Sequence, residues 1–283
     1  SSDYRRHLTK ELGKWPNVHL IEDHYLDVTS PLDQQELYRV ECKNHIIKSS
    51  KLVHSFPGSP DLAHRPMNAG LTGDPQSGST SMVRQQFIGW EIETGKELFN
   101  PDRFTFMDFD LNGGGHITFN YNLPFSANRA LIERTFLDKR SVPAEHIEDG
   151  LREYIQNRLG IDRSEYRIVR RESGSIPLTQ MEPPAGNALP IGQAAGVTRP
   201  STGYTFIRSW RHARQTARYL NGRSPKPPGQ LDRKRHRLLD YFFLKELNRE
   251  PYQVLQLFRG MLTVKSLDTV FDFMAGRRLL KHE

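Results

Sequence analysis

The sequence predicts a mixed fold, α/β or α+β, with a large mixed sheet and helices gathered towards the C-terminus. Three observations carry the prediction. Strand-like segments follow one another between residues 84 and 137, and the last third of the chain turns to helical runs rich in Phe and Leu. Between them "IGQAAGVTRPSTGYTF" (191–206), a glycine-rich loop, runs directly into the amphipathic segment "IRSWRHARQTARYL".

Taken in order, residues 2–14 have helical spacing, with Tyr4, Leu8 and Leu12 on one side. "NVHLIEDHYLDVT" (18–29) reads as strand, and 37–56 as a hairpin or meander around Lys43-Asn44. Residues 57–82 are dense in Gly, Pro and Ser and predict a long loop. Strands follow at 84–94, 104–111, 116–124 and 129–137, with "NGGG" (112–115) turning between two of them. Residues 142–160 read as a helix, with Pro143 near its start and Gly160 at its stop. A strand at 165–178 leads through "MEPPAGNALP" to the glycine-rich loop and a helix over 207–220. Residues 221–237, including the basic run "RKRHR", read as a linker or exposed loop before three C-terminal helices.

Composition narrows the function classes. At 283 residues, with 36% apolar and 26% charged, the chain is globular and fills one large or two ordinary domains. The net charge of +7 suits anionic ligands, acidic lipid surfaces or nucleic acid without choosing among them. The single cysteine, Cys42, excludes an internal disulfide and a CxxC site, and a reducing compartment is expected. No apolar run is long enough to span a bilayer, and the N-terminus carries no signal-peptide h-region. That N-terminus reads as the middle of a helix, so the chain is expected to begin partway through a longer gene product. The histidines show no HExxH or HxH spacing, so no metal site is expected. Nucleic acid is not expected either, because "RKRHR" lacks interleaved aromatics. GxSxG, GxxxxGK[ST] and GxGxxG are all missing.

Two constellations could carry chemistry. A glycine-rich loop entering a helix presents backbone N–H groups and a positive dipole end, a site for an anion or electron-rich ring oxygens. The alternative is a tight strand–loop–helix connection with no ligand. The second constellation is a set of acids in apolar strands: Asp108 and Asp110 in "FTFMDFDL", Glu133 in "ALIERT", and Glu172 in "RESGSIPL". Asp108 and Asp110, two apart, share a face of their strand. A carboxyl among apolar side chains keeps its proton towards neutrality, although each acid taken singly also reads as an ordinary salt-bridge partner.

"QQFIGWEIET", "FMDFDL", "FNYNLPFSANRALIERTFL", "RESGSIPL" and "GQAAGVTRPSTGYTF" occur in the order and spacing of the lycopene β-cyclase family. The resemblance runs from about residue 84 to 220, and "FDFMAGR" resembles the family's C-terminal helix. It implies an FAD/NAD(P)-binding, flavoprotein-hydroxylase-like fold that here lacks the N-terminal βαβ dinucleotide motif. On that reading residues 1–60 are the remainder of the FAD-binding module and 61–190 a sheet domain roofing the substrate cavity. Residues 191–220 are then the FAD-binding loop and helix, and 221–283 a C-terminal helical region.

The resemblance further implies a non-redox, acid-catalysed cyclisation of lycopene ends to β-ionone rings, with reduced FAD as cofactor and NAD(P)H as the electron source. Glu133 matches the family's acid, with Arg134 replacing the second acid of that motif. Asp108 matches an aspartate expected to serve as base or charge partner, and Glu172 the acid of "E-x-G-x-(I/L)P". Gly192, Gln193, Ala194, Gly196, Pro200, Ser201, Thr202, Gly203 and Tyr204 would hold the flavin. Phe104, Phe106, Phe109, Phe119 and Tyr121 are candidates to face a carbocation. "KLVHSFPGSP" stands where relatives carry Asp-Gly, so this chain alone is expected to bind FAD poorly and to be inactive. The expected location is cytoplasmic and peripheral to a membrane, with the carotenoid as partner. The rivals are a redox flavoenzyme of the same fold (a polyprenyl reductase or hydroxylase) and a carotenoid- or lipid-binding protein without chemistry.

Overall fold

Long aromatic and β-branched runs between residues 84 and 177 leave little choice but a sheet buried on both faces. In the computed structural model these residues form five antiparallel strands: β5 (Arg84–Thr94), β6 (Thr105–Asp110), β7 (Ile117–Ser126), β8 (Arg129–Asp138) and β9 (Tyr166–Pro177). Their order is β6-β7-β8-β5-β9. The structure describes residues 2–30, 37–55, 83–110, 117–178, 188–229, 231–232, 234–264 and 266–274. The expected loop at 57–82 and the "NGGG" turn lie outside these residues.

Each face has its own cover. Helix α2 (Ala144–Glu153) continues through a π-helical turn (Tyr154–Arg158) and lays Ile147, Leu151, Tyr154 and Ile155 against Ile88, Trp90, Ile92, Ile132 and Phe136. These side chains recur three and four residues apart along the helix, and each one fully buried contributes about 1.5–3 kcal/mol. The opposite face carries Phe119, Leu137, Phe109 and Tyr121. It is closed by Leu247, Val254 and Phe258 from the C-terminal helices α4 (Lys234–Arg249) and α5 (Pro251–Val264), which α6 (Leu267–Met274) follows.

The rest of the described chain is smaller. Helix α1 (Ser2–Leu12) precedes a three-stranded antiparallel sheet of β1 (Tyr25–Thr29), β2 (Tyr38–Cys42) and β3 (Ile46–Ser49). The hairpin expected at Lys43-Asn44 joins β2 to β3. The strand expected over 18–29 is confined to its last five residues, where Tyr25 and Val28 pair with β2. Strands β4 (Val53–His54) and β10 (Leu189–Pro190) pair in parallel, which brings the two ends of the large-sheet segment together. That pair supplies the described parallel contact, whereas the large sheet is antiparallel instead of mixed. Helix α3 (Phe206–Leu220) falls where expected, but α4 starts inside the basic run assigned to a loop. The reason is burial: His236 and Asp240 point inwards, and that anchor extends the helix back through Lys234 despite the prolines nearby.

Candidate active site

Strand register decides which acids meet. Gly89 on β5 stands opposite both Glu133 on β8 and Glu172 on β9. All three positions share the sheet face that the C-terminal helices cover, so two carboxylic acids flank one residue without a side chain. A Cβ at Gly89 would lie 3.0 Å from Glu172 Cγ and 3.3 Å from its Oε1. Glu172 therefore leans across β5 towards Glu133.

The two acids differ in company. Glu172 accepts from Arg170 Nη1 at 2.7 Å, while Arg170 Nε donates to Glu91 at 2.8 Å and Glu91 is held again by Arg129. Glu133 accepts a hydrogen bond from the Thr135 hydroxyl at 3.0 Å, and among the described residues no cation pairs with it. Burial pushes its pKa up to about 7, the Thr135 bond opposes this, and the neighbouring Glu172 charge adds to it. At neutral pH a large share of this carboxyl therefore keeps its proton.

Asp108 lies elsewhere. Strand alternation, with a β-bulge between Thr105 and Asp108, turns Asp108 and Asp110 together to the α2 face, as their spacing predicted. Met107 takes a left-handed conformation there (φ 54°) and, with Phe106 and Phe109, faces the opposite side. Asp108 accepts from Tyr154 Oη at 3.1 Å, with Arg158 Nε at 3.4 Å, both from the π-helical turn. The structure does not bring Asp108 to Glu133, because the thickness of the sheet separates them. The same alternation accounts for Arg134, which pairs with Asp110 at 2.8 Å on the α2 face.

The aromatic candidates mostly converge on the Glu133 face. Phe106–Tyr121, Phe119–Tyr121 and Phe109–Phe119 have ring centroids 5.5–5.6 Å apart, and Phe258 joins from α5 at 5.7 Å from Phe109. Tyr121 is the register partner of Glu133, and burial together with that acid raises its pKa. Phe104 stands apart and is half exposed.

The glycine-rich loop meets this face at its edge. Gly192, Gly196 and Gly203 have φ of 60°, 63° and 68°, a region that side-chain-bearing residues rarely adopt, which explains the spacing of the glycines. Residues 192–195 form a 3₁₀ turn, in which Ala194 is buried. From Arg199 to Tyr204 the loop closes on itself, with the Gly203 and Thr202 amides donating to Arg199 O and the Arg199 amide donating to Tyr204 O. The Arg199, Thr202 and Gly203 amides are therefore engaged within the turn. Buried Pro200 and Ser201 lie beneath the turn, and Ser201 donates its hydroxyl to Asp240 of α4 at 2.6 Å. Gly203 sits against the Gln85 amide, with no room for a Cβ. Ser201, Thr202, Gln85, Phe119, Tyr121 and Phe258 line a narrow pocket between loop and sheet.

Sequence reasoning missed Gly89, Arg170, Gln85 and Asp240. A glycine inside the strand "QQFIGWEIET" signals a close approach, and Arg170 shares a strand face with Glu172 two residues on; both signals were readable. The partnership of Asp240 with the loop 39 residues before it left no local mark.

The family model for lycopene cyclase protein matches residues 47–268. The lycopene beta cyclase, chloroplastic/chromoplastic, of Narcissus pseudonarcissus is 31% identical over 225 residues. The chain belongs to the lycopene cyclase family. It spans 72% of its own length but 41% of the Narcissus cyclase in that match. Two solved structures share the fold at low identity. A geranylgeranyl bacteriochlorophyll reductase-like protein of Thermoplasma acidophilum matches with a TM-score of 0.55 and 14% identity over 98% of this chain and 68% of the other. The flavin-dependent brominase Bmp2 gives 0.53 and 13% over 98% and 69%. The cyclase-family chain thus has a flavoprotein-hydroxylase-like fold. No helix among its described residues is long and apolar enough to cross a membrane.

Proposed function

We propose that this chain carries the acid site of a lycopene cyclase, with Glu133 as the proton donor that closes acyclic carotenoid ends into rings. The observation that carries the reading is a carboxyl held protonated near neutrality beside a wall of aromatic rings, in a chain of this family. Protonation of a terminal double bond by Glu133 leaves a tertiary cation on the hydrocarbon. The distal double bond attacks that cation and forms the six-membered ring, and loss of an adjacent proton restores neutrality. Glu172, already a carboxylate partner of Arg170, stands across Gly89 to receive that proton. Phe119, Tyr121, Phe106 and Phe109 present ring faces and edges along the path, each face worth about 0.5–2 kcal/mol to a desolvated cation. Asp108 acts through the other side of the sheet, where it fixes the π-helical turn against β6.

Whether the loop suits a flavin is tested by its own atoms. A Cβ at Gly192 would meet nothing within 4 Å, no side chain caps the start of α3, and its first turn holds no acid. Such a surface fits an electron-rich ring edge. Gly192, Gln193, Ala194 and Gly196 would hold it on one side, and the closed turn of Pro200, Ser201, Thr202, Gly203 and Tyr204 would pack against the other by shape, its amides being engaged within the turn. Reduced FAD would supply negative charge close to the developing cation, and NAD(P)H is the proposed electron source. A substrate that dissolves only in lipid places the protein at a membrane surface, where the basic balance of the chain suits anionic headgroups.

The test is an anaerobic assay of the full-length protein with lycopene liposomes and reduced FAD across pH 5.5–9. Rings should form without net oxidation of flavin, and the rate should fall as pH rises through about 7, where Glu133 loses its proton. Flavin oxidation matched to product would instead assign a redox enzyme. Bound lycopene returned unchanged would assign a binding protein.

A further inference from the structure

We propose that Arg170 and Gly89 are positioning residues for the proton-bearing pair: Arg170 ties down the Glu172 carboxylate, and Gly89 leaves open the strip of β5 across which that carboxylate faces Glu133. The inference rests on the reading of Glu133 as the acid and explains why the proton resides there and not on Glu172.

The geometry comes from the register. Glu133 and Glu172 sit on strands either side of β5, so their backbones are about 10 Å apart. Any side chain at position 89 would stand between them. The space is tight even for a methyl group, since a Cβ there would lie 3.0 Å from Glu172 Cγ and 3.1 Å from Leu131 Cδ1. Arg170 precedes Glu172 by two residues on the same face and holds it at 2.7 Å. It is itself anchored by Glu91, its register partner on β5, and Glu91 is anchored by Arg129. Arg170 is therefore fixed between Glu172 on its own strand and Glu91 on β5.

The groups facing Glu133 are Tyr121 from β7, Thr135 on its own strand, and Glu172 from β9 with Arg170 behind it. One of these carries a negative charge, and the cation that balances it is already shared between Glu172 and Glu91. Two carboxyls across one glycine resist simultaneous ionisation, and the one without a cation keeps the proton. Burial of Glu133 acts in the same direction. Removal of Arg170 leaves the Glu172 carboxylate facing Glu133 without its cation.

The experiment is a carbon-13 NMR titration of glutamate side-chain carboxyls in the full-length protein from pH 4 to 9, needing neither substrate nor flavin. The wild type should show one carboxyl titrating near 7 that disappears in Glu133→Gln. Glu172→Gln and Gly89→Ala should each lower that midpoint by roughly one unit, because the like charge is removed or displaced. Arg170→Gln should raise that midpoint, because the cation that balances the Glu172 charge is gone, Arg170→Gln/Glu172→Gln should bring it back down, and Arg170→Lys should restore the wild-type value. Thermal melts confirm that each variant is folded. A Glu133 midpoint that stays put in Glu172→Gln, or in Arg170→Gln, would overturn the proposal. If instead Glu133→Gln cyclises lycopene at the wild-type rate while the titrations behave as expected, the acid assignment fails and the positioning inference stands.

Discussion

Glu133 draws its chemistry from three neighbours, and each one separates it from an ordinary surface glutamate. Burial removes the water that would stabilise its charge, Gly89 admits Glu172, and among the described residues its carboxyl accepts from a neutral hydroxyl, that of Thr135. The effect on stability has a definite sign. The folded-state pKa lies above the ordinary carboxylate value of 4.5, so the fold binds this proton more tightly than the unfolded chain does. The wild type therefore loses stability as pH rises from about 4.5 to about 7, and Glu133→Gln escapes that loss. Melting curves at pH 4.5 and pH 8.5 should show the variant gaining on the wild type only at the higher pH; equal differences at both would remove Glu133 from the list of strained acids. The candidate acids were legible in the sequence, since Asp108 and Asp110 flank Phe109, and Glu133 follows Leu131 and Ile132, within strand-like runs. Which acids meet was not legible, because a single bulge at Met107 and the register of β5 decide that Glu172 joins Glu133 while Asp108 turns away.

Among the elements, the glycine-rich loop is shaped from two directions. Its own hydrogen bonds close residues 199–204 into a turn, and α4 fixes that turn from below through buried Arg199, Ser201 and Asp240. A second clamp acts at its other end, where Arg208 of α3 donates to Val197 O and pairs bidentately with Asp232. Loss of one partner from a buried ion pair leaves a desolvated charge, so Asp240→Ala should cost about 3 kcal/mol in urea unfolding. It should also raise proteolytic cleavage between 199 and 204. A cost below about 1 kcal/mol would mean that the loop holds its shape unaided. The glycine positions and the helix that follows were readable in advance, because positive φ and capping leave local marks. The clamp was not, since nothing beside Asp240 in its Phe-rich helix marks a partner 39 residues earlier.

On the scale of the whole molecule, three separated parts of the chain meet at one pocket: strands β5 to β8, the 199–203 turn and the C-terminal helices. Phe258 sits at the junction, 5% exposed, against Phe109 and Phe243. Phe258→Ala should cost about 3–5 kcal/mol and, on the proposed function, should weaken flavin binding along with stability, because the same ring closes the pocket beside the proposed flavin loop. Stability lost with flavin affinity unchanged would show that the helices cover the sheet without shaping the site. The fold class was legible from the alternation of strand and helix patterns, and the family from motifs in register. The antiparallel character of the sheet was not, because period-two alternation is the same in both kinds of pairing. The central claim, that Glu133 delivers a proton to a hydrocarbon, is tested most directly by running the anaerobic lycopene reaction in heavy water with wild type and Glu133→Gln side by side. The account predicts one deuterium gained per ring by the wild type and no rings from the variant. Rings formed equally by Glu133→Gln, or rings without deuterium, would contradict it.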